Sequence, residues 1–289
     1  MATRRFWASV NLLKVVGLTA LYVALLSVNY SAITLSNAAT KTPFQLILVA
    51  FIDTLLLSYF VLSSRWDRWK NWGAVFAILY GMVYVLTSAE TFYLGSILSV
   101  NMVPVLLLNG AITSAIFAGA LAWVFGSKRM EGGVGSTRLK MPRKEWAWKI
   151  IVSAVLYLLL FIAFGVIVYM PLGKALDPVA YAQEQSIAAN ASSLVFPIEL
   201  LRGALWALFA VPAIIALPFG WKKTGIIVGL LMAVPLALSQ FLSTMTIGLQ
   251  MAHTAEIVGE NMVFGFLLVW VLRVHSRLPT DGQPESNVP

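Results

Sequence analysis

Eight apolar runs, each close to the length of a bilayer-spanning helix, dominate this chain. They lie near 12–34, 44–64, 72–91, 102–126, 149–171, 196–218, 224–246 and 256–273. A helix needs about 20 predominantly apolar residues to cross the hydrocarbon core of a membrane. A soluble domain of 289 residues would bury a few such runs and dilute them with charge, whereas this chain is 60% hydrophobic and only 11% charged. The pattern predicts an all-α integral membrane protein with eight transmembrane helices. It excludes a soluble globular enzyme, a disordered chain and a collagen-like repeat. The weakest boundaries fall near 91–102 and 246–256, where the connections are themselves apolar and fit interfacial or re-entrant segments.

The basic residues test this count independently. With eight spans, 17 Lys and Arg fall on one side, among them Arg4, Arg5, Arg65, Arg68, Lys128, Arg143, Lys222 and Arg273. Lys41 and Lys174 fall on the other, and Arg202 lies within a span. The positive-inside rule then sets both termini and the basic loops in the cytoplasm. The net charge of +8 is thereby read as a topology signal and not as a nucleic-acid footprint. The bilayer itself, and anionic lipid head groups at the cytoplasmic face, are the expected partners. A bacterial cytoplasmic membrane is the expected location. Trp66, Trp69, Trp72, Trp146, Trp148 and Trp221 cluster at the same interface, where amphipathic rings are favoured.

The spans divide into two groups of four. Residues 1–126 form the first half and 149–275 the second, with a basic, Gly-rich cytoplasmic linker at 127–148 and a polar, disordered tail at 276–289. Faint self-similarity links the halves: Lys14 to Tyr22 resembles Lys149 to Tyr157, and Trp69 with Gly73 matches Trp221 with Gly225. Repeats with an even number of spans run parallel, so a parallel 4+4 internal duplication is expected.

Ionisable residues inside spans are costly and usually face a bundle interior or cavity. Counting the helical rise from the basic face sets Glu90, Arg202 and Glu256 about 26–27 Å deep, just inside the outer boundary. Glu199 shares a face with Arg202, and His253, Glu256 and Glu260 share a face of the last span. These residues predict a polar site open to the outside. Arg202 would hold an anionic group or a counter-carboxylate, and Glu90 and Glu256 would bind a cation or exchange protons. The structural alternative is that Arg202 pairs with a neighbouring acid to lock helices, while the outermost acids sit at helix N-termini where the macrodipole favours them. Asp53 lies about 18 Å deep among apolar neighbours. It is expected to be protonated, hydrogen-bonded to another span, or part of a proton or ion path.

Other chemistries find less support. There is no Cys, so thiol nucleophiles, disulfides and Cys-based metal sites are excluded. His253 and Glu256 at i, i+3 are weak metal candidates, since a two-residue match is common by chance. The only other histidine, His275, is about 33 Å away along the same helix, which argues against bis-His haem. No cofactor is expected. The sequence therefore points first to a transporter or carrier of a small solute or ion. One alternative is an interfacial enzyme using His253 and Glu256 on a lipid-linked substrate, and another is a non-catalytic assembly subunit.

Overall fold

A computed structural model describes residues 12–34, 43–91, 103–126, 141–190, 192–243 and 245–274. The described residues are 92% helical, with no strand among them. In chain order the elements are α1 (Leu12–Thr34), α2 (Pro43–Ser63), α3 (Arg68–Phe76), a π-helical run π1 (Ala77–Val85), α4 (Leu86–Thr91) and α5 (Val103–Phe125). They continue with α6 (Arg143–Phe164), a second π run π2 (Gly165–Tyr169), α7 (Met170–Leu176), α8 (Pro178–Asn190), α9 (Ser192–Ala216), α10 (Trp221–Gln240) and α11 (Ile247–Val274). Because α3–π1–α4 and α6–π2–α7 are each continuous, seven helices are long and apolar enough to cross a membrane. This makes the chain an integral membrane protein by length and composition. The first helix, α1, is apolar over Leu12–Val28.

Seven such helices are found among the described residues, an eighth span is not shown by this measure, and several boundaries move. The fifth expected span becomes a rod of 34 residues from Arg143 to Leu176. At about 1.5 Å per residue it is some 51 Å long, well beyond the roughly 30 Å hydrocarbon core. The last helix begins at Ile247, so the stretch near 246–256 is mostly its first turns and not a re-entrant loop. The connection expected between the fifth and sixth spans contains a helix of its own, α8. The stretch 92–102, most of the linker (127–140), His275 and the tail at 276–289 lie outside the described residues.

One apolar cluster runs through helices of both sequence halves. Phe60 on α2, Phe117 on α5, Tyr157 on α6, Trp206 on α9 and Phe264 on α11 are among its fully buried side chains. In a membrane, helices associate by close packing and not by hydrophobic expulsion, so small residues at crossings matter. The most extensive pairing, α10 against α11, shows this. A Cβ added to Gly265 would stand 2.6 Å from the Gly229 Cα, so the two backbones touch where both residues lack side chains. Gly81 within π1 likewise receives the ring of Phe209, which would lie 2.5 Å from an added Cβ. Outward-facing Leu, Ile and Val side chains on α2, α5, α6 and α9 remain exposed, as lipid-facing surfaces require.

One end of the bundle is held by cations on backbone carbonyls. Helix C-termini leave carbonyls with no intrahelical partner, and hydrocarbon offers no water to satisfy them. Arg273 meets this need after α9. Its Nη1 donates to Phe219 O at 2.6 Å and Thr224 Oγ1 at 2.9 Å, and its Nη2 donates to Leu217 O at 3.0 Å and to Ile214 O. Arg65 donates from its backbone to Ala216 O at 3.0 Å and from its side chain to Pro218 O at 3.3 Å. Arg68 Nε reaches Gly126 O at 2.9 Å, beyond the end of α5. Buried Lys149 reaches Leu272 O near the end of α11 at 3.3 Å and pairs with Glu145 at 2.8 Å. These contacts gather the basic ends of α3, α6, α9, α10 and α11 on one face.

Arg273→Ala is expected to destabilise the protein by about 2–3 kcal/mol, because it leaves several buried carbonyls without a charged donor. Arg273→Lys should recover only part of this, since an ammonium cannot reproduce the planar fork. Thermal or denaturant unfolding in detergent micelles checks both. Equal stability of all three proteins would remove the capping role.

Candidate functional site

At the end opposite the basic face, a small second cluster of Tyr169, Tyr181, Leu249 and Ala252 stands apart from the main apolar core. The geometry there begins in π2. A π turn adds a residue to the helix and rotates the side chains beyond it by about 100°, the α-helical angle per residue. Tyr169 closes this run and is buried. Its ring stacks on the His253 imidazole with centroids 4.2 Å apart and planes 23° from parallel. Gly165 opens the run, and an added Cβ there would lie 3.5 Å from Glu256 Oε1. The π segment therefore faces the polar stretch of α11 along its whole length.

Helix α8 supplies the remaining member. Asp177 initiates it, accepting a hydrogen bond from the Ala180 N–H at 3.1 Å, with Pro178 at the first helical position. Gly248 packs against this turn, where a Cβ would meet Asp177 and Leu176 at 2.9–3.1 Å. Hydrogen bonds from Thr246 and from the Ala180 backbone hold the Asp177 carboxyl below the usual carboxylate range. The start of α8 is thus fixed to the start of α11. Two turns later Glu184 lies across the site.

The four side chains form a continuous relay. The Tyr169 hydroxyl donates to Glu184 Oε2 at 2.5 Å. Glu184 Oε1 lies 3.1 Å from His253 Nε2, and His253 Nδ1 lies 3.3 Å from Glu256 Oε2. Each ring nitrogen of His253 therefore meets a carboxylate oxygen. Burial pushes the Glu184 carboxyl up, but the hydrogen bond and charge of His253 and the Tyr169 hydroxyl outweigh it, and its pKa is lowered overall. Among the described residues, no three His, Cys, Asp or Glu groups converge on a point that could hold a metal ion.

A second charged pair lies nearer the basic face. Arg202 Nη1 donates to both carboxylate oxygens of Glu199, at 2.7 and 2.8 Å, and both residues are buried. The guanidinium sits 5.9 Å from the Tyr157 ring. Gly203 permits this closeness, since a Cβ there would collide with Ala154 and Tyr157 of α6. Sequence spacing sets Arg202 and Glu256 at one depth, but they stand against different levels of the long rod, Tyr157 and Gly165. That is eight residues, or about 12 Å. Counting rise from separate helix ends assumes upright helices that start in one plane. Glu260 and Asn261, both buried, follow Glu256 by one turn and carry the polar stripe of α11 inward.

The structure thus joins His253 to Glu256, and Glu199 to Arg202, as two groups. Asp53 is buried on α2 and belongs to neither. Glu90 lies in α4, and its side chain falls outside the described residues. Sequence reading missed Tyr169 and Glu184. Tyr169 depends on a π segment that no residue pattern announces. Glu184 lies between two expected spans, although Asp177-Pro178 carries a helix-start pattern and Tyr181 and Glu184 share a face at i, i+3.

A carboxyl whose folded pKa is lowered contributes stability that is present above its unfolded value and lost as pH falls through the folded one. Docking of α8 should therefore be constant from neutral pH down to about 4.3, the ordinary Glu value, and weaken below it. Hydrogen exchange at 178–190 reads this directly, and Glu184→Gln should show weak protection already at neutral pH. Pulsed exchange that shows no acid-induced loss in the wild type would contradict the assignment. No family model, curated protein or solved structure matches this chain.

Proposed function

We propose that the protein is an eight-span membrane carrier for a small solute or ion, whose transport is coupled to protons or cations bound at the outer polar layer. One observation carries this reading. Among the described residues the outer relay and stripe, taken with the deeper Glu199–Arg202 pair, bury four carboxylates, Glu184, Glu199, Glu256 and Glu260, against two basic groups, Arg202 and His253. A net excess of buried carboxylates over basic groups is costly in a low-dielectric interior, so it calls for protons or a cation taken from solution. A purely structural layer would be expected to balance.

The eighth span is α1. Its 23 residues reach about 34 Å, enough to cross the core, and it packs against α2 and α5. With eight spans, the basic end is cytoplasmic and so are both termini. A bacterial cytoplasmic membrane with anionic lipids suits that arrangement. A parallel 4+4 duplication fits the span count and rests on the sequence matches alone. An interfacial enzyme with His253 as base is less well supported, because both ring nitrogens already meet carboxylates.

Charge movement after a pH or sodium jump, recorded from proteoliposomes on a solid-supported membrane, tests the carrier reading. The wild type should give a transient current. Glu256→Gln and Glu260→Gln should each reduce it about tenfold or more while leaving the protein folded and reconstituted. Absence of any current in the wild type, or currents untouched by both substitutions, would sink the proposal.

A further inference from the structure

Asp53 takes no part in the outer layer, and its surroundings differ from it in chemistry. Its residue is 2% exposed, and its Oδ1 has no hydrogen-bond partner. The hydroxyl oxygens of Thr54 and Ser58 on the same helix, Thr19 on α1, Ser88 on α4 and Ser114 on α5 are equally buried and equally without partners. This is unusual for helix hydroxyls, which readily fold back onto a carbonyl one turn earlier. Ser27 and Ser153 do so, at 2.8 and 2.7 Å.

Packing brings these groups towards one place. Tyr22 of α1 stacks on Phe117 of α5 with centroids 4.1 Å apart. Gly110 of α5 receives the ring of Tyr84 from π1. Ser114 lies between Gly110 and Phe117 on one helix face, at i+4 from the first and i−3 from the second. It is therefore bracketed by the two tyrosines. Asp53 and Tyr84 are both electrostatic neighbours of Tyr22. Thr19 precedes Tyr22 by three residues and shares its face. Three helices, α1, α2 and α5, thus bring the Asp53 carboxylate and the hydroxyls of Thr19 and Ser114 around Tyr22.

We propose that this cluster is a second site, independent of the outer layer, that binds a monovalent alkali cation with Asp53 and the hydroxyls of Ser114 and Thr19 as oxygen ligands. A single carboxylate among neutral oxygens balances one positive charge and not two. A cation also occupies several oxygens at once, whereas one proton on Asp53 would supply a single hydrogen bond and leave most of the hydroxyls as they are.

The test is thermal unfolding of the purified full chain in detergent, titrated with sodium chloride or potassium chloride at ionic strength held constant with choline chloride. Binding to the folded state alone raises the melting temperature with cation concentration. Sodium, potassium or both should do so relative to choline, and the two titrations identify the preferred ion. Asp53→Asn should remove the part of the response that belongs to this site, and Ser114→Ala and Thr19→Val should each weaken its apparent affinity by about tenfold. In a background carrying both Glu256→Gln and Glu260→Gln, which removes cation uptake by the outer layer, a response should remain, and Asp53→Asn should abolish it. If neither cation differs from choline, or Asp53→Asn responds like the wild type, Asp53 is a protonated helix contact and the proposal fails. Should Asp53→Asn not fold, unchanged affinity in both Ser114→Ala and Thr19→Val overturns it equally.

Discussion

Hydrocarbon offers no partner to a backbone carbonyl, and that constraint organises the basic half of this protein. A membrane helix satisfies itself internally except over its last turn. Where α9 ends at Ala216, the chain must turn tightly into α10, and the freed carbonyls remain beside packed helices. Arg273 and Arg65 take them up from two directions. Lys149 performs the same task at the end of α11, and Arg68 beyond the end of α5. Residues that a topology rule treats as markers of sidedness are therefore also the groups that close the bundle. The close crossing of Gly229 and Gly265 depends on this arrangement, because it requires α10 and α11 to be held in register along their length.

The opposite end obeys a different logic. There the polar groups are side chains, and they satisfy one another. The relay from Tyr169 through Glu184 and His253 to Glu256 spans three segments of the chain. Its assembly depends on π2, which turns Tyr169 onto the His253 ring, and on Asp177, which fixes the start of α8. Glu199 and Arg202 make a compact pair deeper in the bundle, with Tyr157 beside the guanidinium. Along α11 the buried stripe Glu256, Glu260 and Asn261 runs inward from the relay. Glu256 and Glu260 stand one helical turn apart, about 6 Å along the axis.

The Asp53 cluster adds a contrast within the same fold. The outer layer is rich in charge and engaged in hydrogen bonds. The Asp53 cluster has one carboxylate and several hydroxyls that make none. Both border the main apolar cluster, in which Tyr157 packs against Trp206 and Phe264. The bundle thus holds two polar assemblies of different chemistry, one of paired charges and one of a lone carboxylate with hydroxyls.

Residue order alone was enough for the membrane class, because twenty-residue apolar runs have no other stable home. It was also enough for most helix positions, and for the gathering of basic residues at one end, since Lys, Arg and Trp mark interfaces by solvation energy. Among the site residues, His253 with Glu256 and Glu199 with Arg202 could be paired from spacing, as residues three apart on a helix share a face. Tertiary structure alone decided the rest. A π turn depends on what packs against the helix, so neither π1 nor π2, nor the aim of Tyr169, could be read from composition. Glu184 meets His253 across 69 residues of chain, and only the docking of α8 brings them together. Arg273 becomes a cap, and not merely a boundary charge, because packing sets the end of α9 within its reach.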